Sequence, residues 1–395
     1  MHKTDFDRRR FMGTAATAAG LSALGSHAWA QALPKSPVTL NIIDAAGNLA
    51  LTQPIWDAYR KAKPNVVARM NFVKAPLPEL PGKIRAQQEA NRVDIDLVLC
   101  GYSGVAFGAE QNLWMPLLPA HAASLPKLDD ILLPGARTIQ NMTKGQGVCV
   151  SYTPFGPLLG YMPSRVKDVP KTAEELLAWT RANKSRFAYA RPANSGLGLA
   201  LLVGLPHILG DSNPKDPIKG WDKTWAFLKA LGENIDYYPP GSAALLKEFG
   251  EGTRDMIPTT TGFDINPRAL GVIPAEAKVT TIKGFHWMSD AHFMCVPKGI
   301  PAEKVAVLLD MMSFALTREQ QAYIYDAGYY YPGPAVKNVP LSMAPAESQA
   351  VIKEFGRPEY DQWIANNPVE PPLDPAVLPA AFRRWDEEIG GSKRR

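Results

Sequence analysis

Carboxylates and aromatic rings carry the first candidate chemistry in this chain. Asp44, Asp264 and Asp290 supply negative charge, and Trp287 with the run Tyr329, Tyr330 and Tyr331 supplies ring faces. A desolvated ammonium stacked on such rings gains about 2 kcal/mol or more, so the set suits a linear polyamine. Arg191 points the other way, because a guanidinium grips a carboxylate or phosphate through two parallel hydrogen bonds. Each ring would serve equally in core packing. Residue types alone leave the sign of a ligand open.

Small polar residues form the second set. In ARPANSGLG (Ala190 to Gly198) a strand ending at Arg191 is followed by Asn194, Ser195 and Gly196 at a helix start. Unpaired N–H groups there attract anionic or carbonyl groups, while the plainer role of Asn194 or Ser195 is to cap that helix. Thr259, Thr260, Thr261 and Asp264 in MIPTTTGFDINP make a polar turn, either a ligand loop or a surface loop. Asp44 and Asn48 follow the first expected strand, and Tyr102 and Ser103 follow the third. A turn aspartate satisfied by its own backbone is the ordinary alternative for Asp44.

Catalytic and metal patterns are weak. The histidines are His2, His27, His121, His207, His286 and His292, with no H-E-x-x-H pairing. No G-x-S-x-G elbow occurs, and Ser124-x-x-Lys127 and Ser164-x-x-Lys167 lack the S-D-N and K-T-G partners of their motif. The cysteine spacing makes no metal clip. No catalytic residue, metal site or cofactor is therefore expected, although a secreted two-lobed hydrolase or transferase stays open as the alternative.

The elements that must position these residues alternate. VTLNIIDAAGN reads as a buried strand and its loop, PIWDAYRKAKP as an amphipathic helix stopping at Pro64, and NVVARMNFV as a strand. LPGKIRAQQEANR then reads as a helix, and VDIDLVLCG as a strand ending at Gly101. Such alternation predicts a doubly wound parallel sheet, whose ligands sit beyond the strands' carboxyl ends. The loops Asp44 to Asn48 and Gly101 to Ser103 are therefore the ones to watch. Further on, KTAEELLAWTRANKS carries a Thr172/Glu175 capping box, RFAYA reads as a strand and GFHWMSDAHFMCVPKG as a strand pair. AEKVAVLLDMMSFAL reads as a helix, TREQQAYIYDAG carries a Thr317/Gln320 capping spacing, and GGSKRR as a frayed tail.

The N-terminus carries an address. Arg8 and Arg9 are adjacent, Arg10 fills a variable position, and Phe11 and Met12 follow, in the order of a twin-arginine signal. An apolar stretch to about Gly25 is too short and too rich in Gly and Ala to span a membrane, and Ala28-Trp29-Ala30 offers cleavage before Gln31. A periplasmic mature chain is expected, exported by the twin-arginine machinery already folded. Losing residues 1–30 removes four basic and two acidic residues, so the net charge of +5 falls to +3. That near-neutral balance implies no broad basic face for nucleic acid. Cys100, Cys149 and Cys295, odd in number and far apart, make a poor disulfide framework. Folding before export would tolerate them as free thiols.

Four stretches in succession resemble the extracellular solute-binding proteins of ABC importers, in the spermidine/putrescine-binding branch. They are DIDLVLCGYSGVAFGAEQNLWMPL, GPLLGYMPSRVKDVPKTAEELLAW, GFHWMSDAHFMCVPKGIPAEKVAVLLDMMSFALTREQQAYI and DAGYYYPGPAVKNVPL. Together with their spacing, the resemblance covers roughly residues 38–345. Asp290 falls one position later than the family's Trp-x-Asp, after Met288 and Ser289. The resemblance implies two doubly wound α/β lobes joined by two crossing strands, with a ligand cleft between them. On that analogy the crossings lie near 149–155 and 289–297. One lobe takes 36–150 plus 298–335, the other 151–288 plus 336–385, with 386–395 as the tail. It also implies a monomer that closes on a small solute and hands it to a membrane permease, or a sensor subunit acting alike. The implied ligand-binding residues are Asp44, Asn48, Tyr102, Ser103, Arg191, Asn194, Ser195, Thr260, Asp264, Trp287, Asp290 and Tyr330.

Overall fold

A computed structural model describes residues 32–391 and 393; the expected export signal and its cleavage point lie outside them. The larger sheet starts from three apolar segments that alternate with helices. Strand β1 (Val38–Asp44) pairs in parallel with β2 (Val67–Lys74) and β3 (Leu97–Gly101). Helices Asn48–Ala62 and Leu80–Glu89 form the crossovers, as a parallel pairing demands. The first of these begins six residues before Pro54, where the sequence pattern places its start, because Asp44 caps a turn of helix that the pattern does not show.

Two long strands carry the chain between the sheets. β4 (Val148–Gly156) leads through Pro157 into β5 (Leu158–Tyr161) of the smaller sheet. There β5 pairs antiparallel with β6 (Met256–Thr259) and β7 (Lys278–Thr280). The chain returns along β8 (Trp287–Cys295), which lies antiparallel between β3 and β4. The larger sheet therefore runs β2-β1-β3-β8-β4-β9, with β9 (Gly333–Pro334) on β4 and β10 (Val369–Glu370) beside β8. β8 pairs with β4 over Met288 to Met294 and with β3 from His292 to Cys295, so GFHWMSDAHFMCVPKG forms one continuous strand rather than a strand pair.

Other expectations change in detail. RFAYA is buried and extended, but it makes only an isolated bridge, Phe187 to Met256, and is no strand. Thr172 caps its helix as expected, its Oγ1 accepting from the Glu175 N–H, but the Glu175 carboxylate reaches one residue further back and accepts from the Lys171 N–H instead of Thr172's. Thr317 does not cap its helix; its hydroxyl donates to the Phe314 carbonyl. After β8, helix Ala302–Ala315 packs on the larger sheet's first helix. Residues 336–339 stay with that sheet through the Leu132–Val336 bridge and the Tyr325 hydroxyl on the Val339 carbonyl. Helices Ala346–Phe355 and Pro358–Asn366 then pack on the smaller-sheet side.

The C-terminal helix, Leu378–Trp385, touches both lobes. Phe382 stacks on Phe107 at 5.7 Å and Arg383 pairs with Glu110 on one side. On the other, Trp385 packs edge-on against Tyr189 and Tyr238. The described part of the expected frayed tail is held as well: Asp386 pairs with Arg191, and the Lys393 ammonium donates to the carbonyls of Gly232 and Ile235. Cys100, Cys149 and Cys295 are buried free thiols on β3, β4 and β8.

Candidate functional site

The carboxyl ends of β1 and β3 open onto a cleft of about 840 Å³, within the range of small-molecule sites, about 300–1,000 Å³. Its walls come from both lobes. The larger sheet supplies the loops after β1 and β3; the smaller-sheet side supplies Pro192–Gly196, helix Ser242–Gly250 and helix Gly262–Ala269. Asp290 and His292 of β8 and Tyr329 and Tyr330 of the returning chain line it too.

Asp44 reaches the cleft with its acceptors already used. Oδ1 takes the N–H groups of Ala46 and Asn48 and Oδ2 that of Leu49, so the carboxylate caps helix Asn48–Ala62. Gly47 turns that corner at φ 74°. A Cβ there would fall 2.5 Å from Tyr329 Oη, so neither backbone nor space admits a side chain. Asn48 is fully buried and accepts from Thr52 Oγ1; it supports the helix start and stays out of the cleft.

Tyr102 and Ser103 begin helix Tyr102–Glu110 and face the cleft. Across from them Asn194 is exposed to it. Ser195 lines it as well, but its Oγ caps helix Gly196–Ile208 at the Gly198 N–H and lies 2.8 Å from Ser242 Oγ. Arg191 turns away. Its guanidinium binds Asp386 at 2.6 Å and lies over the Trp385 ring at 5.2 Å, so it is tied to the C-terminal segment and grips nothing in the cleft.

Three further candidates are structural. Thr260 is fully buried and accepts from the Phe263 N–H. Asp264 is the hub that ties helix Gly262–Ala269 to the start of helix Pro358–Asn366, taking Arg268 of its own helix, Arg357 and the Tyr360 hydroxyl. Trp287 packs edge-on against Phe285 in the smaller core cluster with Leu158, Ile265 and Tyr360. Of these partners, Arg357 and Tyr360 lie more than ninety residues from Asp264, where no spacing rule shows them.

At the base of the cleft, polar groups converge without satisfying one another. Asp290 accepts one backbone N–H, from Ala291. Burial pushes its carboxyl up to about 6, with that N–H and the neighbouring Tyr330 hydroxyl pulling the other way. The buried Tyr102 Oη, Tyr330 Oη and His292 Nδ1 have no hydrogen-bond partner of ordinary geometry. Burial lowers His292 to about 3, so its imidazole is neutral, and raises both phenols, so they stay protonated. Buried polar groups are rarely left unpaired, and their place with Asp290 on one cleft wall leaves room for a ligand's hydrogen bonds.

Aromatic rings complete this wall. Tyr329, Phe263, Phe155, Tyr330 and His292 follow one another with centroid separations of 5.8, 6.4, 5.7 and 4.4 Å. A sharp turn delivers the tyrosines: Asp326, Ala327 and Gly328 all take positive φ, and Gly328 leaves no room for a Cβ, which would meet Ile265 at 2.4 Å. The hydroxyls of Thr153 and Thr261 both donate to the Tyr331 carbonyl and fix the segment to β4 and the smaller-sheet side. Phe155, Phe263 and His292 were not foreseen from sequence. Phe155 and His292 sit in apolar strand runs, and only the cleft distinguishes them from core.

A family model described as bacterial extracellular solute-binding protein matches residues 55–353. No curated protein sequence matches the chain. Among solved structures, the fold is similar to three that share 14–15% identity. The spermidine/putrescine ABC transporter substrate-binding protein PotD of Streptococcus pneumoniae aligns at 14% identity and TM-score 0.60, covering 90% of this chain and 99% of that one. The apo ferric ion-binding protein A of Pasteurella haemolytica aligns at 15% and 0.59, covering 89% and 97%. AfuA of Actinobacillus pleuropneumoniae, with fructose-6-phosphate bound, aligns at 15% and 0.61, covering 90% and 99%.

Proposed function

This chain belongs to the bacterial extracellular solute-binding proteins, and from that premise we propose that it captures a small organic cation between its lobes and delivers it to the permease of an ABC importer. One observation carries the choice of a cation. Asp290 stands at the base of the cleft with a single protein N–H on its carboxylate, beside a wall of aromatic rings. A primary or secondary ammonium donates to that carboxylate and to the unpaired acceptors near it, while the ring faces attract its charge. Arg191, the side chain that argued for an anion, is committed elsewhere. The neighbours named for a polyamine, a ferric ion and a sugar phosphate span both signs of charge, so the choice of a cation rests on the cleft's own residues.

Closure follows from where the contacts lie. Tyr102 comes from the larger-sheet lobe, Phe155 and Phe263 from the crossing and the smaller lobe. A solute touching all of them stabilises the closed form only through contacts it makes to both sides. The cleft is complete within one chain, which supports action as a monomer. A thermal-shift panel tests the reading. Putrescine and spermidine are expected to raise the melting temperature, and citrate and fructose-6-phosphate to leave it unchanged. The amine should be recovered unaltered, which separates binding from the hydrolase or transferase alternative. A shift with the anions alone would contradict a cationic solute.

Export by the twin-arginine route belongs to the same proposal. Arg8 and Arg9 carry it, and the three buried free thiols support folding before translocation. Replacing both arginines by lysine is expected to trap uncleaved protein in the cytoplasm on fractionation. Normal periplasmic yield of that variant would show that the pair is not read.

A further inference from the structure

Outside the cleft, three side chains that can bind a metal meet on the smaller-sheet side. His207 lies in the last turn of helix Gly196–Ile208, His286 immediately precedes β8, and Glu370 is on β10. The two imidazole rings are 4.9 Å apart between centres, and His286 Nδ1 lies 3.2 Å from Glu370 Oε1. One ligand atom from each residue lies within 4.8 Å of the other two. None of the three lines the solute cleft. We propose that His207, His286 and Glu370 form a binding site for a divalent transition metal of the Zn²⁺ class, separate from the solute site.

The donor set fits that class. Two imidazoles and a carboxylate suit Zn²⁺, Co²⁺, Ni²⁺ or Cu²⁺ better than the oxygen-seeking Mg²⁺ or Ca²⁺. Bonds of about 2.0–2.1 Å in a tetrahedron place ligand atoms about 3.3 Å apart. The widest pair of ligand atoms therefore has to draw together by at most about 1.5 Å. All three residues are partly exposed, so water can take a fourth position. Burial lowers the His207 pKa and favours the neutral ring that a metal needs.

The backbone beneath the cluster is fixed. β10 is held in parallel register on β8, Val369 with Trp287 and Glu370 with Met288. Ser289 Oγ donates to the Glu370 carbonyl at 2.8 Å, and the Trp287 N–H donates to the Pro368 carbonyl at 2.8 Å. Gly284, at φ 80°, brings the His286 turn against the end of the His207 helix, where a Cβ would meet the Ile208 carbonyl at 2.9 Å. A bound ion would clip the end of this helix to the crossing strand and to the returning chain.

The test is Zn²⁺ titration of the tag-free, chelator-treated protein by calorimetry, with Co²⁺ absorption as the spectroscopic readout. One Zn²⁺ per chain is expected, with a rise in melting temperature. His207→Ala and His286→Ala should each weaken binding about 10–100-fold or more, since loss of a direct ligand costs at least as much as loss of its supporting partner. Glu370→Gln keeps size and hydrogen bonding, and should weaken Zn²⁺ while leaving the metal-free melting temperature unchanged. His121→Ala should change nothing. Failure of the parent protein to bind Zn²⁺ at micromolar concentration would overturn the site. Equal affinity in parent and all three site variants would overturn it as well.

Discussion

Asp264→Ala is expected to destabilise the protein by about 3–5 kcal/mol, read as a lowered urea midpoint with an unchanged m-value. Asp264 is 2% exposed and holds Arg268 through Nε and Nη2 at 3.0 Å, Arg357 at 2.5 and 2.8 Å, and the Tyr360 hydroxyl at 2.6 Å. Removing it leaves two guanidiniums in a poorly solvated site, and an uncompensated buried charge costs more than the pair gained by forming. The substitution should loosen helices Ala346–Phe355 and Pro358–Asn366 together, because Arg357 and Tyr360 bond to this carboxylate and Arg268, which it holds, donates to the Phe355 carbonyl. Solute affinity of the folded fraction should be unchanged, since Asp264 does not line the cleft. A loss of affinity at native stability would return Asp264 to the site.

The second large effect falls on binding. Asp290→Asn is expected to weaken a cationic solute by about 2–5 kcal/mol, the cost of removing one partner of a desolvated charge pair and a drop of 30-fold to several thousand-fold. The pH dependence follows with its sign. With its pKa pushed up to about 6, Asp290 must lose a proton before it pairs with an ammonium. The bound cation favours the ionised carboxylate, so each binding event below pH 6 releases one proton. Affinity should then fall about tenfold per pH unit as the solution is acidified below 6, and level off above about 7. His292, lowered to about 3, adds nothing in that window, and the raised phenols of Tyr102 and Tyr330 stay protonated throughout. In Asp290→Asn the slope should vanish. An acid slope that survives the substitution would assign the titration to another group.

Much of the framework was legible because it rests on local rules. Apolar runs alternating with amphipathic segments specified β1, β2 and β3 and their crossovers. Parallel pairing then placed the loops at Asp44 and Gly101 on one edge, where the cleft is. What was hidden depended on partners distant in sequence. Arg191 and Asp264 have the right chemistry for ligands, but Asp386 and Arg357 occupy them, and no pattern announces either pairing. Trp287 and Thr260 look like site residues until the packing of the smaller core cluster and the cap of helix Gly262–Ala269 are seen. Phe155, Phe263 and His292 erred the other way, since apolar context in a strand looks the same whether its far side meets a core or a cleft. His207 and His286 failed every linear motif because a helix end and a strand entry bring them together.

The most direct measurement is a crystal structure of the protein grown with the amine that raises its melting temperature most. The account predicts that amine in the cleft between the lobes, a nitrogen about 2.7–2.9 Å from Asp290, and its chain along Phe155 and Tyr330. An amine bound at the outer surface, or in the cleft with its nitrogen turned from Asp290, would contradict it.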